Sequence, residues 1–328
     1  MKTQYRVLFL SPTACEQPPA VLFPMNHEVS FHPSSRIDLD PMCLFTVVIP
    51  TWNNLDLLKT CVRSLEAHSH YPHQIVIHIN EGIDGTLEWV QERGFDYTLA
   101  PNNCGICYGM NAAASLCRTD YIAYLNDDMY VLPKWDEPLV EEIESLGHNR
   151  FFLSSTLLEP RDTGNTCVIA PADFGSSPDD FREEGLLDRF SEFEKSDWSG
   201  ASWPLSVVHR ELWQLVGGYS TELTPGMGSD PDFSMKLWQL GVRHFRGISS
   251  SRVYHFMSKS TGRMAKTKLP LNDSRRQFLD KWGITISTFS KHYLHLGEPW
   301  TGPQQEPSDT WGTRLDHWRS RLKRALST

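Results

Sequence analysis

The run LFTVVIP at Leu44–Pro50 constrains this chain more than any other segment. A continuous β-branched stretch suits a strand buried on both faces, the usual state of a strand inside a parallel sheet. After it, Asn53 or Asn54 offers a helix cap, and Leu55, Leu58, Val62 and Leu65 recur at helical spacing. The alternation then continues. QIVIHI at 74–79 reads as a strand, 86–93 as a helix, DYTLA at 96–100 as a short strand, 106–117 as a small-residue helix and YIAYLN at 121–126 as a strand. Strands and helices alternating at these lengths predict an α/β fold with a mostly parallel central sheet, flanked by helices and joined by right-handed crossovers.

Past Asp128 the alternation loosens. A helix is expected at 135–146, a strand at 151–158 and an irregular stretch at 160–197, which from Pro178 to Asp197 holds eight acidic residues against three basic ones. A helix near 209–216 stops at Gly217-Gly218, a second covers about 231–240, and YHF at 254–256 ends a strand. Residues 1–43 carry six prolines and one strand-like run, YRVLFL, and read as an arm around a core formed by 44–256. Residues 257–328 form a separate extension. It opens with a basic loop holding Lys259, Arg263, Lys266 and Lys268, either a lid over a ligand or a solvated charge run. It ends in a helix whose Trp311, Leu315, Trp318, Leu322 and Leu326 share one face, opposite Arg314, Arg319, Arg321, Lys323 and Arg324. Two readings stand for 311–326. The stripe either lies on an anionic membrane surface, or packs on the core while the basic face pairs with acids such as those of 178–197.

Composition narrows the function classes. The chain has 328 residues, 40% of them hydrophobic and 22% charged, a globular balance. Its formal charge of −9 argues against a nucleic-acid partner. No apolar run approaches the ~20 residues of a membrane span, and VLFL behind Lys2 and Arg6 is too short for a signal-peptide core. Seven cysteines, an odd number, suit a reducing compartment, so a cytoplasmic location is expected, with peripheral contact at the inner face of the membrane if 311–326 is an anchor.

In an open parallel sheet, ligands bind outside the carboxyl ends of the strands. Three polar clusters fall there: Pro50, Thr51 and Asn53; Asn80, Glu81 and Asp84; and Asn126, Asp127 and Asp128. Neither a Gly-x-Gly-x-x-Gly fingerprint nor a Walker phosphate loop is present, which weakens dinucleotide and NTPase readings. Carboxylates at a strand end suit a hard divalent cation that bridges phosphates, although Asn and Asp also favour plain turns.

Taken in order, TVVIPTWNN, NEGIDGT, NNCGICYGMNAA, YLNDDMYVLPKW, VGGY followed by GMGSDPDFSMKLWQLG, and VYHF resemble the inverting family-2 glycosyltransferases of the GT-A fold. The resemblance covers roughly Leu44 to Phe256. It implies a nucleotide-binding half at 44–128 and an acceptor half at 129–256. It implies nucleotide-sugar contacts from Pro50, Thr51, Asn53, Asn80, Glu81, Asn103, Gly105, Asn126 and Asp127. A metal, Mn2+ or Mg2+, is expected at Asp128 and His255, and the general base at Asp230. Asn126 stands where the family's metal motif usually has an acid, and Ile79-Asn80 replaces its paired acids, so the donor base stays open.

Several of these residues have a second reading. Asp230 before Pro231 is also a favoured helix cap. His255 could be a packed strand-end residue. Cys104 and Cys107 form a lone pair without zinc spacing, and Cys107 fits a buried helix face. Trp198 and Trp203 could stack on an acceptor sugar or fill the core. The leading expectation is a metal-dependent inverting transferase that moves a hexosyl or N-acetylhexosaminyl group from a nucleotide-sugar to a glycan or lipid-linked glycan, in polysaccharide biosynthesis. The rivals are a silent glycan-binding or scaffold protein on the same fold and a nucleotidyltransferase.

Overall fold

Strand β2 (Phe45–Trp52) is buried at every position except Trp52, as its β-branched run requires. It lies between β3 (Gln74–Asn80) and β5 (Tyr121–Tyr124), parallel to both, and β4 (Asp96–Ala100) extends the parallel run beyond β3. The β2–β5 ladder stops at Val48–Tyr124, two residues before Pro50, whose nitrogen has no hydrogen to donate. The sheet therefore parts at the carboxyl ends of β2 and β5. The protein is described here by a computed structural model covering residues 28–34, 40, 42–201, 204–257 and 274–326. The strand-like run of the N-terminal arm, Trp203 and the basic loop from 258 onward lie outside the described residues.

The sheet is mixed. β1 (Ser30–His32) adds antiparallel to β4 at one edge. On the other side of β5, β9 (Ser206–His209) runs antiparallel and bridges to β7 (Phe151–Leu158). β10 (His244–His255) lies parallel to β7 and carries β6 (Met129–Val131) and β8 (Trp198–Ser199), both antiparallel. The full order is β1-β4-β3-β2-β5-β9-β7-β10-β6. Residues 129–131 and 206–209 are short strands that the sequence pattern does not announce, because neither is long enough to show a period.

Alternation along β2 splits the core. Phe45, Val47 and Ile49 face one layer with Leu58, Val62 and Leu65 of α1 (Leu55–His68), Val90 of α2 (Thr86–Arg93), and Leu139, Val140 and Ile143 of α4 (Glu137–Leu146). Val48 faces the other, with Cys107 and Met110 of α3 (Gly105–Ala114), Trp213 of α6 (Arg210–Val216) and Phe233 of α7 (Ser229–Gln239). Each such fully buried aliphatic or aromatic side chain contributes about 1.5–3 kcal/mol by transfer from water. A third cluster, with Leu158, Tyr130, Tyr254 and Phe256, is covered by Leu186 of α5 (Glu183–Arg189).

The cap of α1 differs from expectation. Asn54 occupies the cap position but its side chain makes no capping bond. Asp84, from the loop after β3, instead accepts the Leu55 N–H at 2.9 Å.

Among the described residues the extension holds three helices: α8 (Ser274–Trp282), α9 (Ile286–His292) and α10 (Trp311–Ala325). Phe278 of α8 and Phe289 of α9 join the α7 side of the core. Helix α10 docks on α9 with its polar side. Thr313 and Ser320 are buried, and Asp316 Oδ2 accepts from Lys291 Nζ at 3.0 Å and His292 Nε2 at 2.9 Å. The apolar stripe faces outward instead, with Trp311 80%, Trp318 58%, Leu322 43% and Leu326 79% exposed. The reading in which the stripe packs on the core is corrected accordingly. Acids of the 178–197 segment are engaged elsewhere, Glu183 with Arg63 and Asp197 with Arg246.

Candidate active site

A cleft of about 460 Å³ opens where the carboxyl ends of β2, β3 and β5 meet the start of α7. Pro50, Thr51 and Trp52 form one wall. Thr51 Oγ1 donates to Asp127 Oδ2 at 2.7 Å, tying the wall to the floor made by Asn126, Asp127 and Asp128. Asn80 is buried at the end of β3, where its Oδ1 accepts the Cys104 N–H at 2.9 Å and so holds the following loop. In that loop Asn103 Oδ1 accepts the Gly105 N–H, also at 2.9 Å.

Gly105 has φ +75°, and a Cβ there would lie 2.7 Å from Thr224 Cγ2 and 2.9 Å from Pro225 Cα. Only glycine permits this approach. The Ile106 N–H donates to Pro225 O at 2.9 Å across the same junction. Residues 225–230 thereby become the opposite wall, which carries Met227, Ser229 and Asp230.

Asp230 sits one residue inside α7, not at its cap, which is Gly228 with φ +83°. The capping reading of Asp230 is corrected: the helix starts two residues earlier because Gly228 adopts the left-handed turn that leads into it. Its Oδ1 accepts a hydrogen bond from Tyr219 Oη at 3.0 Å. Burial pushes the Asp230 carboxyl up to about 6, while the Tyr219 hydrogen bond pulls the other way.

His255, the last residue of β10, pairs with Met129 of β6, and this register sets it beside Asp128. Its Nε2 lies 3.5 Å from Asp128 Oδ2 and its Nδ1 lies 2.9 Å from Glu159 Oε1. Burial alone would lower the imidazole, but the two carboxylates win and raise it to about 10. Asp127 is pushed up by burial and then by the neighbouring Asp128 charge.

This donor set fits a divalent ion shared with ligand oxygens. Asp128 can offer a carboxylate oxygen and His255 its Nε2, while Glu159 takes the Nδ1 proton and fixes the ring. Two crowded buried carboxylates would also gain from a nearby cation. An all-protein cage is not what these residues form: among the described residues no group of three or more His, Cys, Asp or Glu is arranged to hold a metal. Mg2+ and Mn2+ used with phosphates commonly take only one or two protein carboxylates.

Three of the expected residues that are described do not meet in the cleft. Asn53 and Glu81 staple the loops after β2 and β3 together: Asn53 Nδ2 donates to Glu81 Oε2 at 2.8 Å, and Asn53 Oδ1 accepts the Ile83 N–H at 3.0 Å. Trp198 is an interior residue. It is 2% exposed, its Nε1 donates to Thr156 Oγ1 at 2.9 Å, and its ring lies against Gly247, so it has no face for a sugar. Trp203 lies outside the described residues. Cys104 and Cys107 are buried, which pushes both thiols up to about 12 and leaves them unreactive.

Other residues become visible only in the fold. Trp52 lines the cleft and donates to Glu81 Oε2 at 2.9 Å. Glu159 follows the last residue of β7, so the strand-end rule that singles out Asp128 also points to it. Tyr219 carries no sequence signal for its bond to Asp230.

A mixed α/β sheet with its acids at the carboxyl edge and a second wall built from α7 is the arrangement of the GT-A fold. Residues 46–155 match the family model described as glycosyl transferase family 2. It is 24% identical over 277 residues to the O-antigen biosynthesis protein RfbC of Myxococcus xanthus, covering 80% of this chain and 20% of that protein. It is 22% identical over 198 residues to an uncharacterized glycosyltransferase of Haemophilus influenzae, covering 60% of this chain and 62% of that protein. The chain thus spans less than two thirds of the length of either relative. A crystal structure of GalNAc-T7 with UDP, GalNAc and Mn2+ matches with a TM-score of 0.50 at 18% identity, over 66% of this chain and 44% of that one, a likeness of fold. No helix among the described residues is long and apolar enough to cross a membrane.

Proposed function

We propose that the chain is a metal-dependent inverting glycosyltransferase that moves a sugar from a nucleotide-sugar donor to a hydroxyl of a glycan or lipid-linked glycan. The observation that carries this reading is one cleft lined on one side by Asp127, Asp128 and His255 and on the other by Asp230. Thr51, Asn80 and the Asn103–Gly105 loop line its nucleotide end. Asp128 and His255 would hold the cation, with Glu159 keeping His255 in the right tautomer. When bound, the cation would supply Lewis-acid charge to the diphosphate leaving group.

The acceptor hydroxyl must lose a proton as it attacks, and Asp230 is the carboxylate placed to take it. A carboxyl near 6 is ionised at neutral pH yet more basic than an exposed aspartate, which favours a general base. A single displacement with no protein nucleophile inverts the anomeric centre. The relative named for O-antigen biosynthesis supports a surface-glycan acceptor. Uridine diphosphate sugars are the first donors to try, because GalNAc-T7 was crystallised with UDP and Mn2+.

Thermal shift with a panel of nucleotide-sugars, with and without Mn2+ or Mg2+, tests the reading. A true donor at about 100 times its Kd stabilises by about 2.7 kcal/mol, and should do so only with the cation. The anomeric configuration of the product then decides inversion. If no donor raises the melting temperature under any condition, the reading fails.

A further inference from the structure

The outward stripe of α10 has a geometry of its own. At about 100° per residue, Trp311, Leu315, Trp318, Leu322 and Leu326 fall within about 80° of arc, while Thr313 and Ser320 lie about 180° away. The buried side is thus the polar one and the exposed side the apolar one, the reverse of an ordinary surface helix. Basic side chains flank the stripe on both edges, Arg314 and Arg321 on one, Arg319 and Lys323 on the other. The only acid of the helix, Asp316, is turned inward and engaged by Lys291 and His292. Residues 311–328 carry a net charge of +4 in a chain of −9, so the remainder carries −13. A second copy packed stripe on stripe would set basic rails against basic rails, whereas an anionic surface meets both edges with opposite charge.

We propose that α10 docks the protein on an anionic lipid surface, with Trp311, Trp318, Leu322 and Leu326 entering the headgroup region and the flanking arginines and Lys323 meeting lipid phosphates. Tryptophan and leucine on one face with arginine and lysine beside them is the arrangement that binds in the plane of a membrane interface. The polar seat on α9 keeps this face turned away from the body. Trp238 of α7 packs on Phe289 and Tyr293 at ring distances of 6.4 and 5.3 Å, so the docking helix is tied through α9 to the helix that carries Asp230. The proposal does not rest on the transfer reaction and stands or falls separately from it.

The full chain is tested by co-sedimentation with two sets of vesicles, one of neutral phosphatidylcholine and one containing phosphatidylglycerol. Binding is expected to the anionic vesicles only, and to weaken as salt rises from about 0.1 to about 1 M, where the screening length falls from ~10 to ~3 Å. The Trp311→Ala/Trp318→Ala variant removes exposed rings and keeps a strong helix former, so its melting temperature should hold while its vesicle affinity falls by about tenfold or more. Arg321→Gln/Lys323→Gln should lower affinity for anionic vesicles alone. The proposal is overturned if the parent protein ignores anionic vesicles at low salt or if both variants bind as the parent does. It is also overturned if the stripe instead drives a concentration-dependent dimer that the tryptophan variant dissolves.

Discussion

The hydroxyl of Tyr219 donates to Asp230 Oδ1 at 3.0 Å, on the wall of the cleft opposite Asp128. This bond holds the Asp230 carboxyl down against its burial. A base works only when ionised, so activity should appear as pH rises through the carboxyl's value, about 6 in the free protein.

Tyr219→Phe removes a bond that favours the charged form. The Asp230 carboxyl then rises, and the acid limb of kcat/KM moves to higher pH. The loss is largest on the acid side and recovers as pH increases. A profile that keeps its acid limb in place would separate Tyr219 from the base.

Asp230→Asn keeps the shape and an oxygen for Tyr219, and leaves the cap of α7 to Gly228. Donor affinity by calorimetry should be unchanged. Transfer should fall by about 10²–10⁴, the usual worth of a positioned base. Near-parental turnover would reduce Asp230 to a structural role.

Asp128→Ala and Glu159→Leu separate ligand from support. The first should abolish cation-dependent donor stabilisation while leaving the fold, since Asp128 stands at the cleft's floor and not in the apolar core. The second removes only the partner that orients His255, and should weaken Mn2+ binding by about 10–100-fold. Titration of Mn2+ in the presence of nucleoside diphosphate reads both. Equal Mn2+ affinity in all three proteins would remove the metal assignment.

Gly247→Ala tests the interior placement of Trp198. The added Cβ would lie 1.9 Å from the indole, and both residues sit in the β8–β10 pairing. Overpacking of this kind costs about 1–3 kcal/mol and occasionally more. The denaturant midpoint should drop with an unchanged slope. A neutral result would mean that Trp198 can leave the core.

The capping of α1 illustrates why some local expectations fail. Asn54 has the right chemistry, yet Asp84, thirty residues later, reaches the Leu55 N–H because the parallel β2–β3 pairing brings both loops to the same edge. A charged acceptor on a helix N-terminus also gains from the helix dipole. Asn53 and Glu81 follow the same logic, since two polar residues on adjacent loops satisfy each other before they reach a ligand.

The parallel half of the sheet, its helices and the acids at its carboxyl edge are legible in the amino-acid sequence, because β-branched runs and helical spacing act over a few residues. The partners in the cleft are not. His255 meets Asp128 through the β10–β6 register, and Glu159 meets His255 because β7 and β10 run side by side. Those contacts span 127 and 96 positions of chain, and no local pattern encodes them. Periodicity likewise shows that α10 has an apolar and a polar face, but not which one meets the body. That was decided by α9, whose Lys291 and His292 offer Asp316 two nitrogen donors, so that the polar face is the one that fits.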